Sequence, residues 1–97
     1  MYALQQIKEI LTKAKPGLQK KYPLSELGIF GSYARGDAIE ESDIDVFVDF
    51  NEPLGLIKYI GLSHQIQDLF NLKVDVVSRD GIKPKYWIYV SKNLIYV

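Results

Sequence analysis

The sequence contains no cysteine, one histidine and no long hydrophobic run. Without cysteine the chain can form neither a disulfide nor a thiolate metal site, so any metal ligands must be oxygen atoms or His64. Charges or glycines interrupt each apolar stretch before it reaches membrane-spanning length, and the first residues lack the apolar run of a signal peptide. We therefore expect a cytoplasmic protein without a membrane segment.

An excess of charge of one sign is also absent, because 12 Lys and Arg residues balance 12 Asp and Glu residues. A chain with no net charge has no overall attraction to nucleic acid or to an anionic membrane, which argues against a dedicated DNA or RNA binder. Apolar residues are plentiful, at 47% of the 97 residues. This amount predicts one modest core and a single domain over residues 1–97.

The spacing of the apolar residues predicts helices that alternate with strands. Three- and four-residue spacing indicates an amphipathic helix over residues 2–15, and Pro16 is predicted to open a further turn that runs to about residue 22. The order αβαβαβ predicts an α/β (α+β) fold in which helices flank a small mixed β-sheet. Strands are predicted at residues 24–30, 44–50, 73–78 and 94–97, and further helices at residues 32–35, 56–70 and 84–90.

Two aspartates stand two positions apart at the start of the predicted strand 44–50. Such side chains share one face of a strand, so Asp43 and Asp45 place two carboxylates about 7 Å apart at the backbone. Like charges this close repel each other unless a cation lies between them. Mg²⁺ prefers a few carboxylates together with phosphate oxygens, so the pair is a candidate metal site. The alternative is a solvated strand end.

A third aspartate, Asp75, lies in an apolar segment that we expect inside the sheet. A carboxylate there is costly unless it is paired or bound to metal. If this strand lies beside residues 44–50, Asp75 completes a cluster of three carboxylates. Such a cluster can hold two metal ions about 4 Å apart and stabilise the attacking and leaving oxygens of phosphoryl transfer. The alternative is an acid on an edge strand that faces water.

Gly31 and Ser32 stand where the predicted strand 24–30 gives way to a short helix. The first N–H groups of a helix have no partner within it, and they bind phosphate readily. Glycine lets a phosphate approach the backbone, and the hydroxyl of Ser32 can donate to a phosphate oxygen. Alternatively, Ser32 only caps the helix. The ten-residue interval between Ser32 and Asp43, together with Asp75, favours a binding site.

The segment GSYARGDAIEESDIDVFVDF, followed by KVDVVS, resembles the minimal nucleotidyltransferases of the DNA polymerase beta superfamily. Their signature is Gly-Ser, ten residues, Asp-x-Asp and a later aspartate on a strand. The resemblance covers residues 24–78 and is only general in the flanking helix and tail. By position, it implies that Asp43 and Asp45 bind two Mg²⁺ ions. Asp75 would bind the catalytic ion and help to activate the acceptor hydroxyl.

The same resemblance implies that Gly31 and Ser32 hold the triphosphate of ATP. Arg35 also fits the family motif, and it either supports the phosphates or braces its own loop. The implied reaction is an attack on the α-phosphate, with transfer of AMP and release of pyrophosphate. Template-directed synthesis is not expected, because no basic surface is available to grip a primer and a template.

Minimal nucleotidyltransferases are commonly encoded beside a HEPN-domain protein, as an antitoxin and toxin pair. The resemblance thus implies a protein adenylyltransferase that modifies a tyrosine of a HEPN toxin and silences it. One alternative is a non-catalytic antitoxin that acts by contact alone. Another is an enzyme that modifies a small molecule, as the aminoglycoside nucleotidyltransferases do. The sequence leaves the base preference and a homo-oligomeric state open.

Other polar residues are not assigned to the site. His64 is expected on the solvated face of the helix at residues 56–70, and Glu40 and Glu41 in a solvated loop. Asp49 shares the face of Asp45 but lies about 13 Å beyond it along the strand. The aromatic tail, residues 86–96, is interpreted mainly as core, with a partner interface as the alternative.

Overall fold

A four-stranded mixed sheet with surrounding helices accounts for residues 1–97, all of which the computed structural model describes. The strands lie in the order β3-β2-β1-β4; β2 and β3 are parallel, whereas β1 is antiparallel to β2 and β4. The expected α/β fold with a small mixed sheet is thus confirmed. The elements are α1 (Leu4–Lys21), β1 (Leu24–Phe30), α2 (Gly31–Arg35), β2 (Ile44–Phe50), α3 (Leu56–Gln67), β3 (Val74–Ser78), a 3₁₀ turn (Arg79–Gly81), α4 (Pro84–Lys92) and β4 (Ile95–Tyr96).

The first helix is one continuous element of 18 residues, so the further turn predicted to open at Pro16 is instead part of α1. Proline lacks an amide hydrogen and cannot donate to the preceding turn. Burial on both sides of it outweighs this loss, because Ile7 and Leu11 before the proline and Leu18 after it all reach the core. None of the helices is long and apolar enough to cross a bilayer.

Strand β2 has two different faces because side chains alternate along a strand. Ile44, Val46 and Val48 are fully buried and join the main core with residues of α1 and α3. The opposite face carries Asp45, Phe47 and Asp49. Strands β1 and β2 occupy the residues predicted for them; Pro23 and Gly31 bound β1, and the alternation of apolar residues marks β2.

The second face of the sheet is covered by the C-terminal segment. Phe47 is 1% exposed, and its ring centroid is 5.6 Å from that of Trp87 on α4 and 6.1 Å from that of Tyr96 on β4. The guanidinium of Arg79 lies over the Trp87 ring, with Cζ 3.8 Å from the ring centroid. Trp87 thus anchors α4, although no residue of that helix is fully buried.

Strand β3 lies at an edge of the sheet, so the expectation that Asp75 would be inside the sheet is wrong. Side chains of α3 cover the open edge. Gln67 accepts a hydrogen bond from the N–H of Val74 (2.7 Å), and the hydroxyl of Tyr59 donates to the carbonyl of Val76 (2.9 Å). Since these bonds occupy groups that a fifth strand would use, they protect the edge from strand addition.

Helix and strand ends differ from the predictions by one to three residues at several places. Helix α3 ends at Gln67 rather than at residue 70, and α4 continues to Lys92 rather than to residue 90. The last strand is only Ile95–Tyr96, rather than residues 94–97. Leu69 and Phe70 continue the apolar pattern beyond Gln67 and pack against the core, so this pattern does not mark where the helical backbone of α3 stops.

Candidate active site

Asp45 and Asp75 lie opposite each other on the parallel strands β2 and β3. Asp43 directly precedes β2, and the ammonium group of Lys73 lies between it and Asp75. The Lys73 Nζ is 3.6 Å from Asp43 Oδ2 and 3.7 Å from Asp75 Oδ1. The structure therefore brings the three predicted aspartates together. Lys73, which no sequence pattern singles out, supplies a cation between two of them.

The carboxylate of Asp45 is the most strongly perturbed acid in the chain. Partial burial, the negative charge of Asp75 and then that of Asp43 raise the pKa of Asp45 from 3.8 to about 6, while the nearby guanidinium of Arg35 opposes the rise. Burial and like charge both disfavour the ionised form, so a cation that approached Asp45 would be bound strongly. This is the electrostatic pattern of a cation site.

Gly31 determines where the carboxylate of Asp45 can lie. Its φ of +71° is in the left-handed region, which glycine adopts without the penalty paid by other residues. A Cβ atom at this position would overlap the Asp45 carboxylate. The missing side chain therefore lets the acid of β2 lie directly against the start of α2, where the first N–H groups have no partner within the helix.

A cleft of about 340 Å³ opens beside this contact. One wall contains the predicted phosphate-binding residues Gly31 and Ser32 together with Asp45. The other wall is formed by Tyr89, Val90 and Asn93 at the end of α4, and Phe30 and Arg35 complete the lining. The sequence patterns did not predict the α4 wall. Its only signal was the aromatic tail, which does not reveal which strand end the helix faces.

Arg35 has one contact that supports each interpretation offered for it. Its Nε is 3.3 Å from Asp37 Oδ2, an exposed ion pair within its own loop. It also lines the cleft, and its charge acts on Asp45. Because the pair with Asp37 is solvent-exposed and worth little energy, the guanidinium can turn to an anionic ligand at small cost.

The sequence matches the profile of the nucleotidyltransferase domain family over residues 11–97. Gly31, Ser32 and the three aspartates all lie within the matched segment. The chain belongs to the nucleotidyltransferase family.

Named relatives of this nucleotidyltransferase extend over its whole length. A candidate protein adenylyltransferase of Methanocaldococcus jannaschii is 42% identical over 98 residues, which cover 100% of both chains. The protein adenylyltransferase MntA of Thermococcus cleftensis is 39% identical over 97 residues, covering 100% of this chain and 98% of the relative. This chain therefore resembles these relatives as whole proteins.

Solved structures share the fold of this nucleotidyltransferase. A candidate minimal nucleotidyltransferase superposes with a TM-score of 0.73 at 28% identity, covering 97% of this chain and 95% of that one. A complex of a tri-AMPylated Shewanella oneidensis HEPN toxin with an MNT antitoxin contains a chain with a TM-score of 0.60. Its identity is 20%, with 97% of this chain and 67% of that chain covered, so this second likeness shows the fold alone.

The carboxylate oxygens of the three aspartates are of the type that binds a divalent metal ion, but the side chains are not arranged around a single point. As they stand, no three acidic or imidazole groups converge closely enough to hold an ion. The Lys73 ammonium nevertheless lies between the carboxylates of Asp43 and Asp75 as a stand-in cation. Lys73 is 70% exposed and can leave. Oxygen donors alone suit Mg²⁺, so the residues fit this ion.

A larger cavity, of about 730 Å³, lies at the other end of β2 and β3. Its acidic groups, Glu52 and Asp80, come from loops, and the rest of its lining is mainly apolar. It lacks the facing carboxylates and the glycine turn that the nucleotidyltransferase signature supplies. We therefore assign the chemistry to the smaller cleft.

The polar residues that the sequence patterns left outside the site also lie outside it in the structure. His64 is exposed on α3, and Glu40 and Glu41 are exposed between α2 and β2. Asp49 accepts a hydrogen bond from the N–H of Phe50 (2.9 Å) and does not line the cleft.

Proposed function

We propose that this nucleotidyltransferase transfers AMP from ATP to a tyrosine of a HEPN-domain toxin and thereby silences it. Two full-length relatives carry the name protein adenylyltransferase, one as a candidate. A structural neighbour is an antitoxin in complex with an AMPylated HEPN toxin. The function implies a cytoplasmic protein, because ATP and the RNA that a toxin ribonuclease cleaves are found there. We treat residues 1–97 as one catalytic domain.

The observation that carries this proposal is the position of Asp45. It lies against the start of α2 through Gly31 and beside Asp75 through the register of β2 and β3. The predicted phosphate-binding residue Gly31 is therefore next to Asp45, and Asp45 is next to Asp75. A nucleotide held there would have its phosphates next to the groups that bind cations.

Each residue has a proposed task. The backbone of Gly31 and the hydroxyl of Ser32 bind the triphosphate, and Arg35 turns from Asp37 to support it. Asp43 and Asp45 hold two Mg²⁺ ions, and Asp75 holds the catalytic one. When bound, Mg²⁺ neutralises the charge that develops on the phosphates and lowers the pKa of an acceptor hydroxyl.

In the reaction, the acceptor oxygen bonds to the α-phosphorus, and the bond from that phosphorus to the pyrophosphate oxygen breaks. The proton of the acceptor hydroxyl passes to the carboxylate of Asp75 or to water. The products are the tyrosine–AMP ester and pyrophosphate. The chain's contribution is to hold the triphosphate in line with the acceptor and to keep three carboxylates beside it.

Mass spectrometry can test the proposal directly. The protein is mixed with the HEPN-domain protein encoded beside it, ATP and Mg²⁺, and we expect the mass of AMP to be added at one or more tyrosines. The control is Asp43→Ala combined with Asp45→Ala, which should abolish the addition. No added mass, or addition that survives in the double variant, would exclude the proposal. Inhibition of the toxin that persists without modification would instead indicate neutralisation by contact alone.

A further inference from the structure

The α4 wall of the cleft has a chemistry that differs from that of the phosphate wall. Tyr89 lies in the last turn of α4, and Asn93 is the residue that directly follows the helix; both line the cleft together with Gly31 and Ser32. Acidic residues are absent from α4. This wall offers an aromatic ring and an amide, whereas the opposite wall offers backbone N–H groups, a hydroxyl and a carboxylate.

Both side chains of this wall are free to contact a ligand. Tyr89 is 73% exposed, which is a large apolar surface to leave in water. Neither Tyr89 nor Asn93 makes a side-chain hydrogen bond within the protein. Trp87 lies two positions before Tyr89, on the other side of α4, and packs on Phe47, so Tyr89 is on the side of the helix away from that contact.

We propose that Tyr89 and Asn93 bind the nucleoside half of ATP, an assignment that rests on the proposed function. An aromatic ring provides a face on which a base stacks. An amide offers a donor and an acceptor, which suit the edge of a base or the hydroxyls of ribose. With the triphosphate on Gly31 and Ser32, the nucleoside extends across the cleft to α4. The C-terminal helix thus supplies the base-binding surface that the signature residues lack.

Binding measurements on whole-length variants can test this assignment without relying on catalysis. Calorimetric titrations with ATP and with inorganic tripolyphosphate, both in Mg²⁺, separate the nucleoside contribution from the phosphate contribution. We expect Tyr89→Ala to raise the Kd for ATP about tenfold, and Asn93→Ala to raise it several-fold. The Kd for tripolyphosphate should not change. Tyr89→Phe should bind ATP like the wild type, because stacking needs only the ring.

Tyr86→Ala is a matched control, since Tyr86 is also an exposed tyrosine on α4 but does not line the cleft. It should bind both ligands normally. Exposed substitutions of this kind rarely affect folding, and thermal unfolding will confirm it for each variant. ATP affinity that is unchanged in both Tyr89→Ala and Asn93→Ala would overturn the assignment, as would an equal loss of tripolyphosphate binding.

Failure of the proposed function would look different. Wild-type protein that binds neither ATP nor tripolyphosphate would refute both the function and the assignment. Wild-type protein that binds ATP through Tyr89, but transfers no AMP to the HEPN protein, would refute only the choice of reaction.

Discussion

The two faces of β2 divide folding from chemistry within a single strand. Ile44, Val46 and Val48 are completely buried against α1 and α3, whereas Asp45 and Asp49 on the other face keep contact with water. Fourteen buried residues form the core on the first side. On the second side α4 has no fully buried residue. Neighbouring positions such as Ile44 and Asp45 can therefore have opposite roles, whereas Phe47 on the second face is buried against α4 and β4.

The largest effects are expected from substitutions at two adjacent positions on opposite faces of β2, one of which should lower activity and the other stability. We expect Asp45→Asn to lower the rate of AMP transfer about 1,000-fold, because it removes a carboxylate that holds metal beside the phosphates. Its fold should be retained. Ile44→Ala should instead lower the free energy of unfolding by about 2–5 kcal/mol by leaving a cavity. Single-turnover assays measure the rate of AMP transfer, and urea unfolding measures the free energy of unfolding. If Asp45→Asn kept its activity, the assignment of the chemistry to this face of β2 would be wrong.

Gly31→Ala should affect both stability and activity through one atom. The added Cβ meets the Asp45 carboxylate and forces a left-handed φ on alanine. We expect a stability loss of about 1–3 kcal/mol and a fall in AMP transfer of about 100-fold, since Asp45 must move. Gly36→Ala is the matched control: Gly36 has a φ of +87°, but a methyl group added there would meet no atom within 4 Å. It should lose stability but keep most activity; equal activity losses would contradict the argument.

A smaller effect is expected in the pH dependence of stability, which tests the environment of Asp45 on the second face of β2. Asp45 has a pKa of about 6 in the folded protein, above its ordinary value of 3.8, so the folded state binds more protons between these values. Without Mg²⁺, the contribution of Asp45 to stability is therefore present below pH 3.8 and is lost as the pH rises through 6. Screening by water should limit the effect to about 1 kcal/mol.

Urea unfolding at intervals from about pH 4 to about pH 7 measures this loss. The quantity to follow is the difference in the free energy of unfolding between the wild type and Asp45→Asn. Asp49→Asn is the control on the same face of the same strand, and it should follow the wild type. A wild-type curve that rises relative to Asp45→Asn over this interval would show that the environment of Asp45 favours its ionised form.

Lys73→Met should give the smallest effect. The Lys73 ammonium competes with divalent metal for Asp43 and Asp75, but it is an exposed partner and contributes little. We expect the Mg²⁺ concentration for half-maximal AMP transfer to fall about two- to fivefold. Lys58→Met, which replaces an exposed lysine of α3, should change nothing. A higher Mg²⁺ requirement in Lys73→Met would indicate that Lys73 helps to hold the nucleotide instead.

Local patterns were sufficient to predict much of the fold. The alternation around Val46 and the Gly and Pro residues at the strand ends predicted β1 and β2 residue by residue, because strand periodicity depends only on neighbouring positions. Residues 16–21, predicted as a further turn opened by Pro16, continue the same helix, because tertiary burial of Leu18 outweighs the local helix-breaking tendency of proline.

The sequence by itself determined the chemical groups: Gly31-Ser32, the aspartate pair ten residues later and Asp75, within a segment whose pattern resembles a known family. Only the tertiary structure decided their neighbours. Strand pairing put Asp75 opposite Asp45 at the sheet edge, and the packing of Trp87 on Phe47 anchors α4, whose end lines the cleft with Tyr89 and the adjoining Asn93. Contacts between residues far apart in the chain depend on how whole elements pack, which local periodicity does not encode.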